Sequence, residues 1–285
     1  IEFGRWTITP GLRYEDIDQM RTNYSGGANR VFSDSRENST DVLLPGVGAL
    51  YKVNDTLSEF AGVHKGFTAP SNSPGAREEE AVNYELGLRY GNDKTQIEAT
   101  YFLSDYDNLV GECTSSSGSS CEIGDAFNGD AATVQGVEFL LHTQLAEFNN
   151  VRVPLNLTLT LIDGEFDTDI ADTEFFGDVV AGDTLPYIPE TQGQLGVGLE
   201  SGKWSSYLNV VYLDEVCTRA SCGQFERSDS SLTLDLSASY YLSEEIRLFT
   251  RVDNLSDEQD IMGRQPYGAR PNKARTFSIG AQYRF

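Results

Sequence analysis

No stretch of the chain approaches the roughly 18–20 consecutive apolar residues that a membrane-spanning helix requires, so a helical membrane protein is excluded. Strand-built spans remain open, because in a transmembrane barrel only alternate residues face lipid. Basic residues are scarce: 21 Lys and Arg stand against 44 Asp and Glu among 285 residues, a formal charge of −23. Nucleic acid is thereby excluded as a partner, since phosphate neutralisation needs clustered Lys and Arg. Histidine is nearly missing, with only His64 and His142. There is no N-terminal Met and no signal peptide; the chain opens on Ile1 within a strand-like pattern and is expected to be a mature form or a fragment. No segment shows a convincing 3.6-residue period.

Cysteine is sparse too. The four fall in two close pairs, Cys113/Cys121 in "CTSSSGSSC" and Cys217/Cys222 in "CTRASC". Four cysteines allow three connectivities, and two local pairings inside Ser- and Gly-rich links are the simplest. Neither pair has metal-site spacing or a nearby His, so disulfides, and with them an oxidising compartment, are expected.

What is present is alternation. "VPLNLTLTLI" sets Val153, Leu155, Leu157, Leu159 and Leu161 against Asn156, Thr158 and Thr160. "SLTLDLSASYYL" and "TQIEATYFLS" do the same, as does the final "RTFSIGAQYRF". This is the period of a strand with two unlike faces. About twelve such segments follow one another, so the fold class is all-β.

The connections sort by length. Short turns occur at Asn54–Asp55, at Gly91–Asp93 and near Asn149, Gly202 and Glu244. Between them run long polar links at about 16–41, 68–80, 112–130, 167–189, 215–229 and 256–272, in strict alternation with the turns. An outer-membrane barrel sorts its connections in this way, with short periplasmic turns and long extracellular loops. An antiparallel transmembrane β-barrel is therefore expected, with both chain ends periplasmic and both cysteine pairs outside. Aromatics near segment ends (Trp6, Tyr14, Tyr51, Trp204, Tyr240, Tyr283) suit interfacial girdles.

Several stretches resemble TonB-dependent outer-membrane receptors. "EFAGVHKGFTAPSNSPGAREEEAVNYELGLRYG" is similar to a mid-barrel segment of that family, "FTRVDNLSDEQ" to its penultimate strand and "RPNKARTFSIGAQYRF" to its closing strand. "GVHKGFTAPS" is most similar to the ferric-dicitrate receptor branch. The resemblance implies a barrel of about 22 strands, of which 1–285 would be the C-terminal portion, without plug domain, TonB box or first strands. It implies import of an iron chelate of the ferric citrate or siderophore class, driven by TonB–ExbB–ExbD through the absent plug. Outer-membrane lipid and lipopolysaccharide would be the surroundings, in a Gram-negative bacterium. No cofactor is implied, iron being only the transported cargo, and no enzyme activity. Tyr283 and the terminal Phe285 match the family's barrel-end signature, the strand its assembly machinery recognises.

Candidate ligand contacts sit in the last long link, "MGRQPYGARPN", which is locally basic in an acidic protein: Arg264, Gln265, Tyr267 and Arg270. The resemblance supports Arg264 and Gln265 in particular. The link holding Cys113 and Cys121 is the second candidate, with Asn128 on its return. By strand phase Arg13, Arg89, Arg247, Arg251 and Arg284 face the lumen, where they meet an anionic chelate or pair with Glu15, Glu85, Asp235 and Asp253. His64 and His142 also face inward, which does not suit a lipid-facing Ser–His pair. The acidic run from Asp163 to Asp178 lacks the register of a calcium loop and is expected to be a solvated surface loop. Two other classes compete with the receptor: a self-contained twelve-stranded passive channel, and an adhesive barrel using disulfide-clipped loops.

Overall fold

Alternation forces the backbone into extended pairs, because only a strand puts every second side chain on one face. The structure, a computed structural model, describes residues 1–26, 30–73, 75–113, 123–173, 177–220, 222–265 and 267–285. Along it run β1 (Glu2–Phe3), β2 (Trp6–Ser25), β3 (Val31–Lys52), β4 (Leu57–Thr68), β5 (Glu79–Gly91), β6 (Thr95–Tyr106), β7 (Val110–Glu112), β8 (Ala126–Asn128), β9 (Ala132–Phe148), β10 (Val151–Phe166), β11 (Ile170–Thr173), β12 (Gly177–Val179), β13 (Thr191–Glu200), β14 (Trp204–Leu213), β15 (Ser231–Tyr241), β16 (Ile246–Asp253), β17 (Ile261–Gly263), β18 (Arg270–Pro271) and β19 (Thr276–Tyr283). Thirteen of these form one antiparallel sheet in the order β1-β2-β3-β4-β5-β6-β9-β10-β13-β14-β15-β16-β19. The other six pair as small hairpins inside the long links, β7 with β8, β11 with β12 and β17 with β18. The thirteenth member of the main sheet, beyond the twelve expected, is β1, two residues that turn through Gly4 and pair with Thr7 and Trp6.

Register carries one row of like side chains across many strands. Ala49, Ala61, Leu86, Tyr101, Val137 and Leu161 are successive cross-strand partners, as are Leu155, Val197, Leu208, Leu236, Val252 and Phe277. The opposite face carries Ser58, Arg89, Glu98, Leu140, Thr158, Gln194, Val211 and Thr233 in one row. One face is thus apolar and open, the other mixed and polar, as lipid and lumen require. Large apolar side chains on the first face, such as Leu86 and Ile279, remain exposed.

The polar face is kept thin by glycine. Rings of Phe60, Phe102, Tyr207 and Phe249 lie across Gly87, Gly136, Gly198 and Gly280 on neighbouring strands. A side chain at any of these glycines would meet the ring, so the aromatic lies flat only because its neighbour has no Cβ.

The short turns are built by side chains that replace backbone acceptors. Asn54 Oδ1 accepts from the Thr56 and Leu57 amides at 2.9 Å, and Asn92 Oδ1 does the same for Lys94 and Thr95. Asn149 and Asn150 both adopt positive φ, as a two-residue hairpin turn needs. At the turn after β15, hydrogen bonds from Ser243 and the backbone hold the Glu245 carboxyl below the usual carboxylate range.

Two expectations are corrected. Residues 16–41 are mostly not an irregular link, because β2 and β3 run for 20 and 22 residues, paired as far as Ser25 and Val31. At about 3.3 Å per residue this hairpin is far longer than the roughly 9–11 tilted residues needed to cross a bilayer. The apolar alternation stops near Tyr14 and Leu43, but the polar residues beyond still pair. The second concerns Arg89, which bonds Glu98 at 2.6 Å on the adjacent strand rather than Glu85. Cross-strand partners in register outcompete residues four apart on one strand.

The only cluster of fully buried apolar residues among those described lies where the long links fold onto the ends of β9 and β10. Ala132, Phe166, Val179, Leu185 and Ala220 meet at the long-link end, with Tyr106, Leu109, Val134, Ile170 and Ile188 against them. The links therefore form a layer with its own small core.

Candidate functional site

The last long link grows from an asparagine turn. Asn254 has φ +50° and is buried, with its Nδ2 donating to the Glu258 and Lys273 carbonyls at 2.8 and 2.9 Å while Oδ1 accepts from the Glu258 amide. One side chain thus clamps both feet of the link. Asn254→Ala is expected to cost about 2 kcal/mol, from several buried groups left unpaired, read as a lower urea midpoint of the folded receptor. Below the link lies a cavity of about 300 Å³ lined by Asp235, Arg251, Asp253, Asn272, Lys273 and Met262, among others. Arg251 contacts both Asp235 and Asp253, and Lys273 also contacts Asp253. The two cations and two carboxylates neutralise one another, so this lumen arginine serves the wall.

The other predicted lumen arginines behave similarly. Arg13 pairs with Glu15, while Arg89 also lies over the Phe60 ring and Arg247 over Phe249, each at just over 5 Å from the centroid. Arg247 donates to Ser239, and Arg284 sits at the short-turn end, its amide bonded to the Glu245 carbonyl. His64 stands opposite Gly46 and Asn83, and His142 Nδ1 bonds Asn156 Oδ1. Both lie on the polar face.

Of the residues proposed in the last link, Arg264 donates Nε to the Arg227 carbonyl and Arg270 donates to the Gln265 carbonyl at 2.7 Å. Tyr267 is 81 % exposed. Tyr187, far away in sequence, places its hydroxyl 3.1 Å from both the amide and the carbonyl of Gln265. Tyr187 and Arg270 thus both meet the backbone of Gln265. Asn128 is held by other partners: Oδ1 accepts from the Arg77 amide at 2.9 Å and Nδ2 donates to the Gly75 carbonyl at 3.0 Å. Together with Asn108, which bonds Arg77, Glu78 and Asn128, it ties the link after β4 to the link after β6.

Sequence phase missed a second basic spot. Arg21 and Arg36 are directly opposed on β2 and β3, and both reach Asp125 Oδ1, at 3.7 and 3.4 Å. Ser73 Oγ also contacts Asp125 and takes the Ala126 amide. Both arginines fall in the stretch read as an unstructured link, so no phase was assigned to them.

Cys217 and Cys222 form a disulfide, and the ring they close is braced by Thr218, which donates through N and Oγ1 to the Glu226 carbonyl. The expected Cys113–Cys121 bond involves Cys121, which lies outside the described residues, as does Glu174 of the acidic run. Within that run Asp167 accepts from Thr133 Oγ1 of β9 and Asp169 from the Ala181 amide at 2.8 Å, so these carboxylates tie the link to the strand end and to its own turn. No cluster of three or more His, Cys, Asp or Glu suited to a metal occurs among the described residues. At the closing strand, Tyr283 and Phe285 make an edge-to-face contact at 5.4 Å between centroids.

Comparison with known proteins follows this geometry. The pesticin receptor of Yersinia enterocolitica is 23% identical over 303 residues, spanning 99% of this chain, and the chain spans 42% of that relative's length. Among solved structures, the ferric yersiniabactin uptake receptor of Yersinia pestis superposes with a TM-score of 0.76 at 21% identity, over 99% of this chain and 43% of that one. A ferric citrate transporter in its unliganded form superposes with a TM-score of 0.73 at 20% identity, over 99% and 43%. The family model for the TonB-dependent receptor-like β-barrel matches residues 1–255. The chain belongs to the TonB-dependent receptor β-barrel family.

Proposed function

We propose that these 285 residues are the C-terminal portion of the barrel of an outer-membrane receptor that imports an iron chelate. The reading is carried by the family match over residues 1–255 on a two-faced sheet whose long links gather at one end. The ferric yersiniabactin uptake receptor and the ferric citrate transporter support an iron chelate as cargo. The long links would be extracellular, and the short turns and Phe285 periplasmic. Energy would reach the barrel from TonB–ExbB–ExbD through a plug domain outside this sequence. The chelate would meet Arg264, Gln265, Tyr267 and Arg270 of the last link, with the link carrying Asn128 as a neighbouring wall.

A passive channel built from these strands alone would need the edge formed by β1 and β2 to pair with β19. The strand order instead ends at these two edges, which do not bond one another among the described residues, and open edges are not tolerated in lipid. The test is uptake of radiolabelled iron by cells carrying the complete receptor, with ferric citrate and with aryl siderophores, in the presence and absence of TonB. TonB-dependent uptake is expected. Conductance of the purified receptor in planar bilayers without TonB would favour the channel instead. Tyr267→Ala is expected to weaken chelate binding about tenfold, as loss of an exposed aromatic contact does, measured by titration of the purified receptor.

A further inference from the structure

We infer that Tyr187 is a positioning residue for the last long link, a latch that sets where Arg264, Gln265 and Arg270 stand before any ligand arrives. The inference rests on the reading of that link as the chelate contact, and it starts from an uncomfortable backbone. Tyr187 has φ +62°, a region that bulky residues avoid unless their surroundings demand it. Apolar burial does not make the demand, because the residue is 42 % exposed.

Its polar groups do. The Tyr187 amide donates to the Cys217 carbonyl at 2.8 Å, and Cys217 belongs to the ring closed by the disulfide to Cys222. Its hydroxyl lies 78 residues away in sequence from Gln265, at 3.1 Å from both that residue's amide and its carbonyl. It can therefore accept from one and donate to the other. The same Gln265 carbonyl also receives Arg270, and Arg264 reaches the carbonyl of Arg227, which bridges to Cys217. Tyr187 is thus held at its backbone by a covalently closed loop and at its hydroxyl by the ligand link. A left-handed backbone is what turns one side chain between the two anchors.

The physical value of such a latch is pre-organisation. An ordered link spends less of the binding free energy on its own immobilisation. Two neutral hydrogen bonds of ordinary strength correspond to about a tenfold change in the opening of the link or in affinity.

The test uses the complete receptor with Tyr187→Phe, which keeps the ring and removes only the hydroxyl. Hydrogen–deuterium exchange followed by mass spectrometry, without ligand, should show the 261–271 peptides exchanging about tenfold faster, with 177–190 and 214–229 unchanged. In uptake assays the half-saturating chelate concentration should rise about tenfold, while maximal uptake stays within about twofold. Unchanged exchange in 261–271 would overturn the latch. So would loosening that spreads equally through 177–190 and 214–229, which marks a merely structural tyrosine; faster exchange confined to 261–271 with unaltered affinity would instead overturn the reading of that link as the chelate contact. Because exchange is read on the unliganded protein, it decides the latch independently of whether the receptor carries an iron chelate.

Discussion

Replacing Gly136 by valine is expected to prevent the sheet from assembling. Gly136 lies on β9 opposite Ile162 of β10 and Phe102 of β6. A Cβ there would fall inside 3.0 Å of both the Leu161 carbonyl oxygen and the Phe102 ring. The ring could swing away, but the oxygen belongs to the strand ladder and can move only by breaking it. Overpacking alone costs about 1–3 kcal/mol, and a lost ladder contact in a sheet adds to that, so a penalty of about 3 kcal/mol or more is expected. The measurement is the heat-modifiable electrophoretic shift of the receptor folded into lipid or detergent, with the urea midpoint of any folded fraction. Gly48→Ala is the control on the same face, since the nearest atom to its added Cβ is 4.0 Å away. Equal folding yields for the two variants would contradict the account of the thin polar face.

Phe166→Ala is expected to have its effect elsewhere. Phe166 is 1 % exposed and is the largest fully buried side chain described. Its amide and carbonyl are bonded to the Asp183 carbonyl and the Gly182 amide, so the backbone cannot readily collapse into the space the ring leaves. Removing a buried Phe costs about 3–5 kcal/mol. That loss should fall mainly on the link layer, because Val179, Leu185 and Ala220 come from the links while the sheet contributes only the ends of its strands, Ala132 and Phe166 itself. Exchange in 177–190 and 214–229 should therefore rise by orders of magnitude, with chelate affinity falling alongside, while the heat-modifiable band persists. Loss of that band would show that the wall depends on the link core, contrary to the division of the molecule drawn above.

How much of this was legible follows from what alternation records. Strands such as β10 and β15 announce their two faces residue by residue, and the short turns carry Asn and Ser where a side chain must replace a backbone acceptor. The hairpin of β2 and β3 escaped because its outer half packs one side on other links through polar groups such as Arg36 and Asn38, so no apolar alternation distinguishes the paired strand from an irregular link. In the candidate site, Arg264, Tyr267 and Arg270 stand out as basic and aromatic residues in an acidic chain, whereas the contact of Gln265 with Tyr187 is not readable from either stretch. Asn128 carried no such signal, and in the structure it braces two links. Arg21, Arg36 and Asp125 were invisible as a group, since their meeting depends on how far the hairpin leans over a link 89 residues further on.

The sequence by itself determined the class of the fold, the apolar and polar sides of most strands, and most of the long connections, the β2–β3 hairpin being the exception. Those properties are local, written in a period of two and in turn residues. Only the tertiary structure decided that Arg89 answers Glu98, that glycines on one strand receive the rings of the next, and that Tyr187 reaches Gln265 from a loop closed by a disulfide. Each of these depends on register between strands or on the packing of one link against another. Such contacts are set by the sum of many weak cross-strand energies, and no single stretch of residues carries that sum.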